Sequence, residues 1–374
     1  MKFTKYICRK ALALVLVAAA ALSVFLTHGQ KGGSYGYAPT SLEVVECGVI
    51  DAREYKLSSR FLELFATKSA ESETVLIPGG MVFGARVKQA EVTVEKCDGA
   101  SSVKPGDKLL EIDGISIKSA KEVKDYMAKS DGSPISLTLM RGESKLSVKI
   151  TPKPDSGEYK LGLELKDGAA GIGTITYINP KTGEFGGLGH GICDAESGEV
   201  IEITSGTATG VILGGTKRGE AGKPGELSGI LTDKCIGTVI SNTPCGVFGV
   251  LSSVPKDAEA ISVELGHRED VHVGQAYIIS TVKNGKSRKF DIEITEVDTS
   301  SHGTKSFKIK VTDPSLIAIT GGIVRGMSGS PIIQDGKLVG AVTHVLVADP
   351  TEGYGIFIEN MLNASESAAG QRAA

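Results

Sequence analysis

The chain has 374 residues, with 41 basic and 44 acidic side chains and a formal net charge of −3. The two signs are mixed along the sequence, so no basic stripe is available for nucleic acid, and we expect no nucleic-acid partner. The length favours two or three domains with cores of their own, and 48 glycines spread between short apolar runs favour a mainly β, turn-rich protein.

The cysteine and histidine patterns give no sign of a metal site or a disulfide framework. The six cysteines are Cys8, Cys47, Cys97, Cys193, Cys235 and Cys245, and the portion beyond the first 28 residues keeps five of them. An odd number in a domain with an ample core argues against a disulfide framework. No second cluster near His190–Asp194 completes a four-ligand zinc site. We therefore expect no metal and no cofactor.

Residues 1–28 are predicted to form a short cytoplasmic flank and a membrane anchor. Four basic residues precede the uncharged run Ala11–Leu26, which would span about 24 Å as a helix, slightly less than a hydrocarbon core of about 30 Å. The basic flank should stay in the cytoplasm, with the rest of the chain outside. A cleavable signal peptide with Ala18-Ala19-Ala20 at its cleavage site is the alternative. Residues 29–74 read as a linker and a natural place for a processing cut.

Residues 75–155 are predicted to form a small domain of their own. Val103–Gly114 (VKPGDKLLEIDG) is followed by a helix pattern at Ser119–Lys129, with Ser119 as N-cap and a glutamate three residues on, and then by two alternating strands. This order resembles the PDZ domains attached to bacterial envelope proteases. In such domains a peptide docks as an added strand beside a carboxylate-binding loop. We assign that loop to Ile77–Gly84, with Gly79, Gly80, Met81, Val82 and Phe83 as the peptide-binding residues. A small α/β domain without peptide binding is the alternative.

Residues 156–366 contain a dozen or more short predicted strands separated by glycine-rich turns, and residues 367–374 are predicted to be a disordered tail. No long helical pattern interrupts the strands. This pattern is typical of two small barrels or a pair of sandwiches.

Ser328 is the candidate nucleophile, in the turn Gly326-Met327-Ser328-Gly329-Ser330-Pro331. Flanking glycines allow the chain to fold sharply, so the hydroxyl can protrude while the N–H groups of Gly326 and Ser328 converge on a developing oxyanion. Asp335-Gly336 between two apolar runs predicts a β-hairpin with a type I′ turn after the serine. A structural glycine-serine turn without chemistry is the alternative.

A serine nucleophile needs an imidazole base and an acceptor that orients it. His190 and His344 are the two histidines in apolar, glycine-flanked surroundings, and we rank His190 first. For the acid we rank Asp313 first, because it ends a strand and the next predicted strand, Leu316–Ile319, leads back to the serine turn. Asp194 is the competitor.

Four passages resemble the stage IV sporulation protein B (SpoIVB) serine peptidase family. They are Gly321–Leu362, Gly187–Asp194 (GLGHGICD), Ala169–Gly186 and Val311–Leu316 (VTDPSL). The resemblance implies a trypsin-like double β-barrel peptidase behind a PDZ domain and a transmembrane anchor. It places the family's catalytic histidine on His190, its aspartate on Asp313 and its serine on Ser328.

The same resemblance implies a role in sporulation signalling. Members of the family cleave themselves, and then cut a membrane-bound regulator of an intramembrane protease, which triggers maturation of a sigma factor. It also implies an extracytoplasmic location, in the intermembrane space around the forespore. A non-catalytic PDZ scaffold at the forespore membrane is the alternative from another class, and a metal-dependent hydrolase is a more distant one.

Overall fold

This computed structural model describes residues 75–98, 102–194, 197–255, 261–283 and 285–373. The predicted anchor in residues 1–28 and the linker in residues 29–74 lie outside the described residues. Within the described ranges, no helix combines the length and the apolar character that crossing a membrane requires.

The described residues are mainly β, as predicted. The strands are β1 Val75–Pro78, β2 Val82–Cys97, β3 Lys108–Ile112, β4 Ile115–Ser116, β5 Ile135–Arg141, β6 Ser144–Ile150, β7 Lys153–Asp155, β8 Glu158–Lys160, β9 Leu163–Ile178, β10 Glu184–Gly187, β11 Ile203–Lys217, β12 Glu226–Thr243, β13 Gly246–Leu251, β14 Val263–Leu265, β15 Gly274–Ser280, β16 Arg288–Val297, β17 Phe307–Val311, β18 Pro331–Gln334, β19 Lys337–Leu346 and β20 Asp349–Phe357. The α-helices are α1 Ala120–Met127, α2 Pro314–Thr320 and α3 Ile358–Ala373.

Two closed antiparallel barrels of six strands each form the body of the molecule. In the first, the strands pair in the order β2, β9, β10, β13, β12, β11 and back to β2. In the second, the order is β15, β16, β17, β20, β19, β18 and back to β15. Phe83 and Phe185 meet edge-to-face inside the first barrel, and Phe290 and Phe357 are fully buried in the second. Closure leaves neither barrel with an edge strand, and each core is filled by its own inward-facing side chains.

A smaller α/β subdomain, residues 90–166, is inserted between the first two strands of the first barrel. The long strands β2 and β9 each have 16 residues and belong to both units. Val82–Lys88 pairs with Gly168–Thr174 in the barrel, whereas Thr93–Cys97 pairs with Leu163–Lys166 in the inserted subdomain. The predicted boundary between a domain at 75–155 and one at 156–366 is thereby corrected, because residues 82–88 supply a barrel strand.

Two segments differ from the sequence-based expectation because a local helix signal was missed. Leu316–Ile319, predicted as a strand, lies in α2, which has Asp313 as N-cap and proline in its first turn. Residues 367–373, predicted as a disordered tail, continue α3. The predicted helix near Ser119 is confirmed as α1, and the Ser119 hydroxyl accepts from the Glu122 N–H at 3.2 Å.

Candidate active site

Ser328 lies in the loop between α2 and β18, where Gly326 and Gly329 adopt φ angles of 96° and 93°. Two overlapping turns close around Met327. Its N–H donates to the carbonyl three residues earlier at 3.1 Å, and its carbonyl accepts from the N–H three residues later at 2.9 Å. The partly exposed Ser328 hydroxyl donates to the Thr343 carbonyl at 2.9 Å. The loop therefore holds the hydroxyl, partly exposed, against β19 of the second barrel.

The N–H groups of Gly326 and Ser328 have fixed directions but donate no hydrogen bond within the described residues. The Arg325 carbonyl accepts a hydrogen bond at 2.8 Å from the backbone of β12, and the Met327 carbonyl accepts from the Ser330 N–H at 2.9 Å and hydroxyl at 2.7 Å. In a trans peptide the N–H points opposite to the carbonyl, so both peptide planes are fixed. Within the described residues neither N–H has a hydrogen-bond acceptor. Two fixed, unused donors beside a serine hydroxyl can stabilise an oxyanion.

Thr174, fully buried on β9, is hydrogen-bonded to two loops. One carries Ser328 and is called the serine loop below; the other carries His190 and is called the histidine loop. The Thr174 hydroxyl donates to the Gly326 carbonyl at 2.8 Å, and its N–H donates to the Ser328 carbonyl at 2.9 Å. Its own carbonyl accepts from the Leu188 N–H at 3.1 Å, two residues before His190. Sequence reasoning missed this residue, because a threonine in a strand has no local signal for a bracing role.

Thr174→Val is expected to lower both stability and turnover. The substitution leaves the Gly326 carbonyl without its donor, which should cost about 1–3 kcal/mol of unfolding free energy. It also loosens the peptide beside one oxyanion donor, so kcat should fall roughly 10-fold or more. Urea unfolding and steady-state peptide cleavage measure the two effects.

Thr209→Val is the matched control for Thr174→Val. Thr209 is also a buried strand threonine of the first barrel, and its hydroxyl bonds to the Gly84 carbonyl at 3.4 Å. It should lose stability without a matching loss of kcat. Equal kcat values for the two variants would show that Thr174 does not brace the site.

His190 follows β10 in a tight loop, where Leu188 and Gly189 adopt φ angles of 64° and 67°. The His190 Nδ1 lies 2.9 Å from the Gly191 carbonyl. That contact requires the proton on Nδ1, so Nε2 keeps a lone pair that can accept the serine proton. Burial lowers the pKa of His190 below its ordinary value, and the Gly191 carbonyl opposes this shift in part. His190 is therefore neutral and able to act as a base near neutral pH.

Within the described residues no hydrogen bond or ion pair joins Asp313 to His190, so its assignment as the acid stays a prediction. One of its carboxylate oxygens accepts from the Ser315 N–H at 2.8 Å and the Leu316 N–H at 3.0 Å, as the N-cap of α2. Burial raises the pKa of Asp313, but hydrogen bonds from the Ser315 hydroxyl at 2.6 Å and from backbone N–H groups outweigh it, so the pKa lies below its ordinary value. The groups that set the pKa of His190 include no carboxylate. In this arrangement Asp313 fixes the helix that leads into the serine loop.

Two other side chains fix the segment that follows the histidine. The Asn242 amide oxygen accepts from the Ile192 N–H, and its nitrogen donates to the Ile192 and Ile201 carbonyls, all at 2.8 Å. Asp194, the competing acid, pairs with Lys166 at 3.1 Å. Sequence reasoning missed Asn242, which lies near the end of β12, just before the turn at Pro244-Cys245.

His344 lies beside His190, with the two ring centroids 5.5 Å apart and the ring planes inclined by 41°. The register of β19 against β20 shifts between Val342 and His344, an irregularity of the kind that redirects side chains near active sites. Burial is the main cause that lowers the pKa of His344 to about 4, and the positive charges of His190 and Lys305 add to it. His344 is therefore neutral at every pH at which His190 is neutral and can act as a base.

We expect acid to destabilise the protein through His344. Its pKa is about 4 in the folded chain and about 6.5 in the unfolded chain, so between these values the unfolded chain binds more protons. The part of the unfolding free energy that depends on neutral His344 is then fully present above about pH 6.5. It falls as the pH decreases toward 4, by up to about 3 kcal/mol. Urea unfolding at pH 7.5, 5.5 and 4.5 should show a smaller loss in His344→Phe than in the wild type. The exposed His302→Phe is the control, and equal losses in all three proteins would contradict this account.

The residues assigned to peptide binding lie in the first barrel and at its contact with the second, not in the inserted subdomain. The N–H groups of Gly79 and Gly80 donate to carbonyls of β9 at 2.9 and 2.8 Å, and the Met81 carbonyl accepts from β9 at 3.0 Å. Val82 begins β2, and Phe83 is fully buried in the first barrel. This placement corrects the prediction, because the segment pairs with the barrel half of β9.

The inserted subdomain instead has a cleft of about 790 Å³ between α1 and β7–β9. Its lining includes Val123, Met127, Leu161, Gly162 and Leu163. In the described residues, the 163–166 part of β9 pairs on one edge only, with β2, and Gly162 before it has a φ of 70°. A free strand edge beside a helix is the geometry for an added peptide strand. The sequence Leu161-Gly162-Leu163 before this strand edge could have indicated the site, but the sequence analysis assigned the peptide-binding loop to Ile77–Gly84.

A family model described as SpoIVB peptidase S55 matches residues 157–362, more than half of the chain. A curated protein of Agrobacterium fabrum named as a candidate zinc metalloprotease, Atu1380, is 27% identical over 141 residues, 36% of each chain. A similarly named protein of Rhizobium meliloti, R01501, is 29% identical over 107 residues, 28% of each chain. The chain thus spans about a third of the length of these relatives. Within the described residues no group of three or more His, Cys, Asp or Glu side chains is placed to hold a metal ion.

Two solved structures are similar to parts of the chain. The Rv3671c protease of M. tuberculosis, in an inactive form, is 14% identical with a TM-score of 0.32, covering 53% of this chain and 84% of that one. The PDZ domain of the SdrC-like protein of Listeria monocytogenes is 24% identical with a TM-score of 0.20, covering 21% of this chain and 90% of that one.

Proposed function

The chain belongs to the SpoIVB peptidase S55 family of serine peptidases, and from this we propose that it is a signalling endopeptidase of spore formation that cuts itself and then a membrane-associated regulatory protein. The coarser activity, hydrolysis of peptide bonds in protein substrates, follows from the family. The signalling role rests on the four passages that resemble this family's members, among them the Gly321–Leu362 segment.

The single observation that carries the proposal is the pair of fixed, unused N–H groups of Gly326 and Ser328 beside the Ser328 hydroxyl. In acyl transfer Ser328 Oγ attacks the scissile carbonyl, and its proton passes to Nε2 of His190. The carbonyl oxygen gains negative charge and accepts from the two N–H groups. His190 then returns the proton to the leaving amine, and water repeats the sequence to release the acyl group.

In the ground state the Ser328 hydroxyl donates to the Thr343 carbonyl. The attack therefore requires the hydroxyl to turn from that carbonyl toward His190. A rotation about the Cα–Cβ bond of a serine at the surface occurs in picoseconds to nanoseconds, far faster than turnover, and Ser328 is partly exposed. The resting hydrogen bond consequently does not limit the rate.

The cleft of the inserted subdomain is the proposed docking site for the substrate. An extended peptide can add to the free edge of the 163–166 part of β9, with a terminal carboxylate at the loop around Gly162 and apolar side chains against Val123 and Met127. Because this cleft lies in another subdomain, a substitution there should change which protein is cut and leave the cleavage of a short peptide unchanged.

The proposed location is extracytoplasmic and membrane-anchored, in the forespore intermembrane space. The basic residues before Ala11–Leu26 and the apolar run itself support this orientation. The proposed partner is a membrane-bound regulator of an intramembrane protease, whose cleavage leads to maturation of a sigma factor. Anchor and partner would then share one membrane surface.

Self-cleavage of the full-length chain tests the proposal. Wild-type protein and Ser328→Ala are incubated separately and their N-termini are followed by mass spectrometry. New N-termini in the wild type alone support the signalling peptidase. Identical stability of both proteins would favour the alternative of a non-catalytic scaffold, and cleavage that chelator abolishes would favour a metal-dependent hydrolase.

A further inference from the structure

Lys305 is an exposed cation near the serine site, in the loop between β16 and β17. Its Nζ lies 5.2 Å from the centroid of the half-buried Tyr354 ring. Within the described residues no carboxylate forms an ion pair with Lys305. An ammonium group that stands over an aromatic ring without a carboxylate partner can bind an anionic group of another molecule.

The loop that carries Lys305 is attached to the serine site through Thr343. The Thr343 hydroxyl donates to the Thr304 carbonyl at 2.7 Å. The Thr343 carbonyl accepts from the Ser328 hydroxyl at 2.9 Å. The backbone next to Lys305 therefore keeps a fixed position relative to the nucleophile.

Asn360, at the start of α3, holds the remainder of this loop. The side chain of Asn360 is buried, and its amide nitrogen donates to the Ser301 and Gly303 carbonyls, both at 3.2 Å. Its amide oxygen accepts from Arg268 at 3.0 Å. Because the loop is already ordered, little conformational entropy is lost when a ligand binds to it.

Tyr354 connects Lys305 to the two histidines across one face of the second barrel. His344 on β19 is paired with Tyr354 on β20, so both side chains lie on the same face with their Cβ atoms about 5 Å apart. The His190 and His344 ring centroids are 5.5 Å apart. These steps place the ammonium on the order of 10–15 Å from His190. An extended peptide advances about 3.3 Å per residue, so this distance corresponds to about three or four residues of substrate.

Lys308 is the matched lysine on the neighbouring strand. It is paired with Tyr354 in the register of β17 against β20, but its Nζ forms an ion pair with Glu296. A lysine that already has a carboxylate partner gains little from a second one. Of these two lysines, Lys305 is the one whose charge is available to a substrate.

We propose that Lys305 and Tyr354 form a substrate subsite that selects an aspartate or glutamate side chain about three or four residues from the bond that is cut. This inference rests on the proposed peptidase activity of Ser328 and names a substrate class for it. The substrate carboxylate accepts a hydrogen bond from the Lys305 ammonium, which the Tyr354 ring holds in place. A glutamine at the same position has the same shape and lacks the charge.

The test measures kcat/KM of the full-length protein on fluorogenic octapeptide libraries in which one position is fixed as Glu or as Gln and the others are random. Mass spectrometry of the products identifies the bond that is cut. In the wild type, the Glu library should be cleaved about 5-fold faster when the fixed position lies three or four residues from that bond. The preference should decrease toward 1 in about 0.5 M NaCl, because salt screens exposed charges.

Four proteins are compared, the wild type, Lys305→Ala, Lys305→Glu and the control Lys308→Ala. The Glu-to-Gln ratio should be about 1 in Lys305→Ala and below 1 in Lys305→Glu, because the introduced carboxylate repels the substrate. Lys308→Ala should keep the wild-type ratio. The rate at which a fluorophosphonate labels Ser328 should be the same in all four proteins, since Lys305 does not take part in the chemistry.

Equal cleavage of the Glu and Gln libraries by the wild type would overturn the proposal, and so would a preference that persists in Lys305→Ala. A preference lost equally in Lys308→Ala would show a general effect of surface charge instead of a subsite at Lys305. A wild type that is labelled but cleaves neither library would also contradict the subsite. If the wild type is neither labelled nor cleaves any library, the peptidase activity of Ser328 itself fails, so the two failures are distinguishable.

Discussion

Ser328→Ala is expected to lower kcat for peptide cleavage by about 10⁴–10⁶-fold, the range found when a serine peptidase loses its nucleophile. Within the described part of the chain the hydroxyl makes one hydrogen bond, to the Thr343 carbonyl, and it is partly exposed. Its removal should therefore change the unfolding free energy by less than about 1 kcal/mol. Steady-state cleavage and urea unfolding of the same preparations measure the two quantities.

Ser306→Ala is the matched control for that substitution. Ser306 is fully buried near the start of β17; its hydroxyl donates to the Gly303 carbonyl at 3.1 Å and accepts from the Phe357 N–H at 3.4 Å and the Asn360 amide at 3.3 Å. Its loss should lower the unfolding free energy by about 1–2 kcal/mol and leave kcat nearly unchanged. Residual activity of Ser328→Ala close to that of Ser306→Ala would remove Ser328 from the mechanism.

Gly329→Ala should damage the site and the fold together. A Cβ on Gly329 would lie 2.1 Å from the Thr174 carbonyl oxygen and 2.5 Å from the Leu188 nitrogen, and its φ of 93° disfavours any side chain. Both neighbours are backbone, so the serine and histidine loops must separate. We expect a loss of about 3–4 kcal/mol in unfolding free energy. We also expect kcat to fall by at least about 100-fold, as a shift of about 1 Å can cause.

Gly336→Ala is the control that introduces the strain of a positive φ without the steric clash expected in Gly329→Ala. Gly336 has a similar φ of 81°, but nothing lies within 4 Å of a Cβ placed on it. The strain of a positive φ alone should cost about 1–2 kcal/mol and leave kcat unchanged. If both variants lose the same stability and the same activity, the close approach of the two loops is not what assembles the site.

The serine loop and its hairpin were predictable because their signals are local. Glycines at positions 326 and 329 supply the positive φ angles, and Asp335-Gly336 adopts φ angles of 50° and 81° as a type I′ turn requires. α1 was predictable for the same reason, since its N-cap and helical period lie within a few residues of each other.

The domain boundary and the helix after Asp313 were not predictable from local signals. β2 and β9 each serve two units, and an alternating apolar pattern does not tell which partner a strand will take. Asp313-Pro314 was interpreted as a strand end, although an aspartate before a proline is also an N-cap followed by the first helical residue. The choice between the two depends on packing of α2, which is a tertiary effect.

The contact between His190 and His344 also depends on tertiary structure. His344 was ranked below His190 as the candidate base, with no expectation that the two rings meet. The register shift in β19 instead places it beside His190. Because a bulge depends on how two strands pair, the sequence of one strand does not reveal it.

The central claim is that Ser328 is the nucleophile, with His190 as its base and the N–H groups of Gly326 and Ser328 as the oxyanion donors. Mass spectrometry of the full-length chain after fluorophosphonate treatment tests it most directly. We expect a single phosphonyl adduct on the peptide that contains Ser328, lost in His190→Ala. An adduct on another serine, or equal labelling of Ser328 in His190→Ala, would contradict the account.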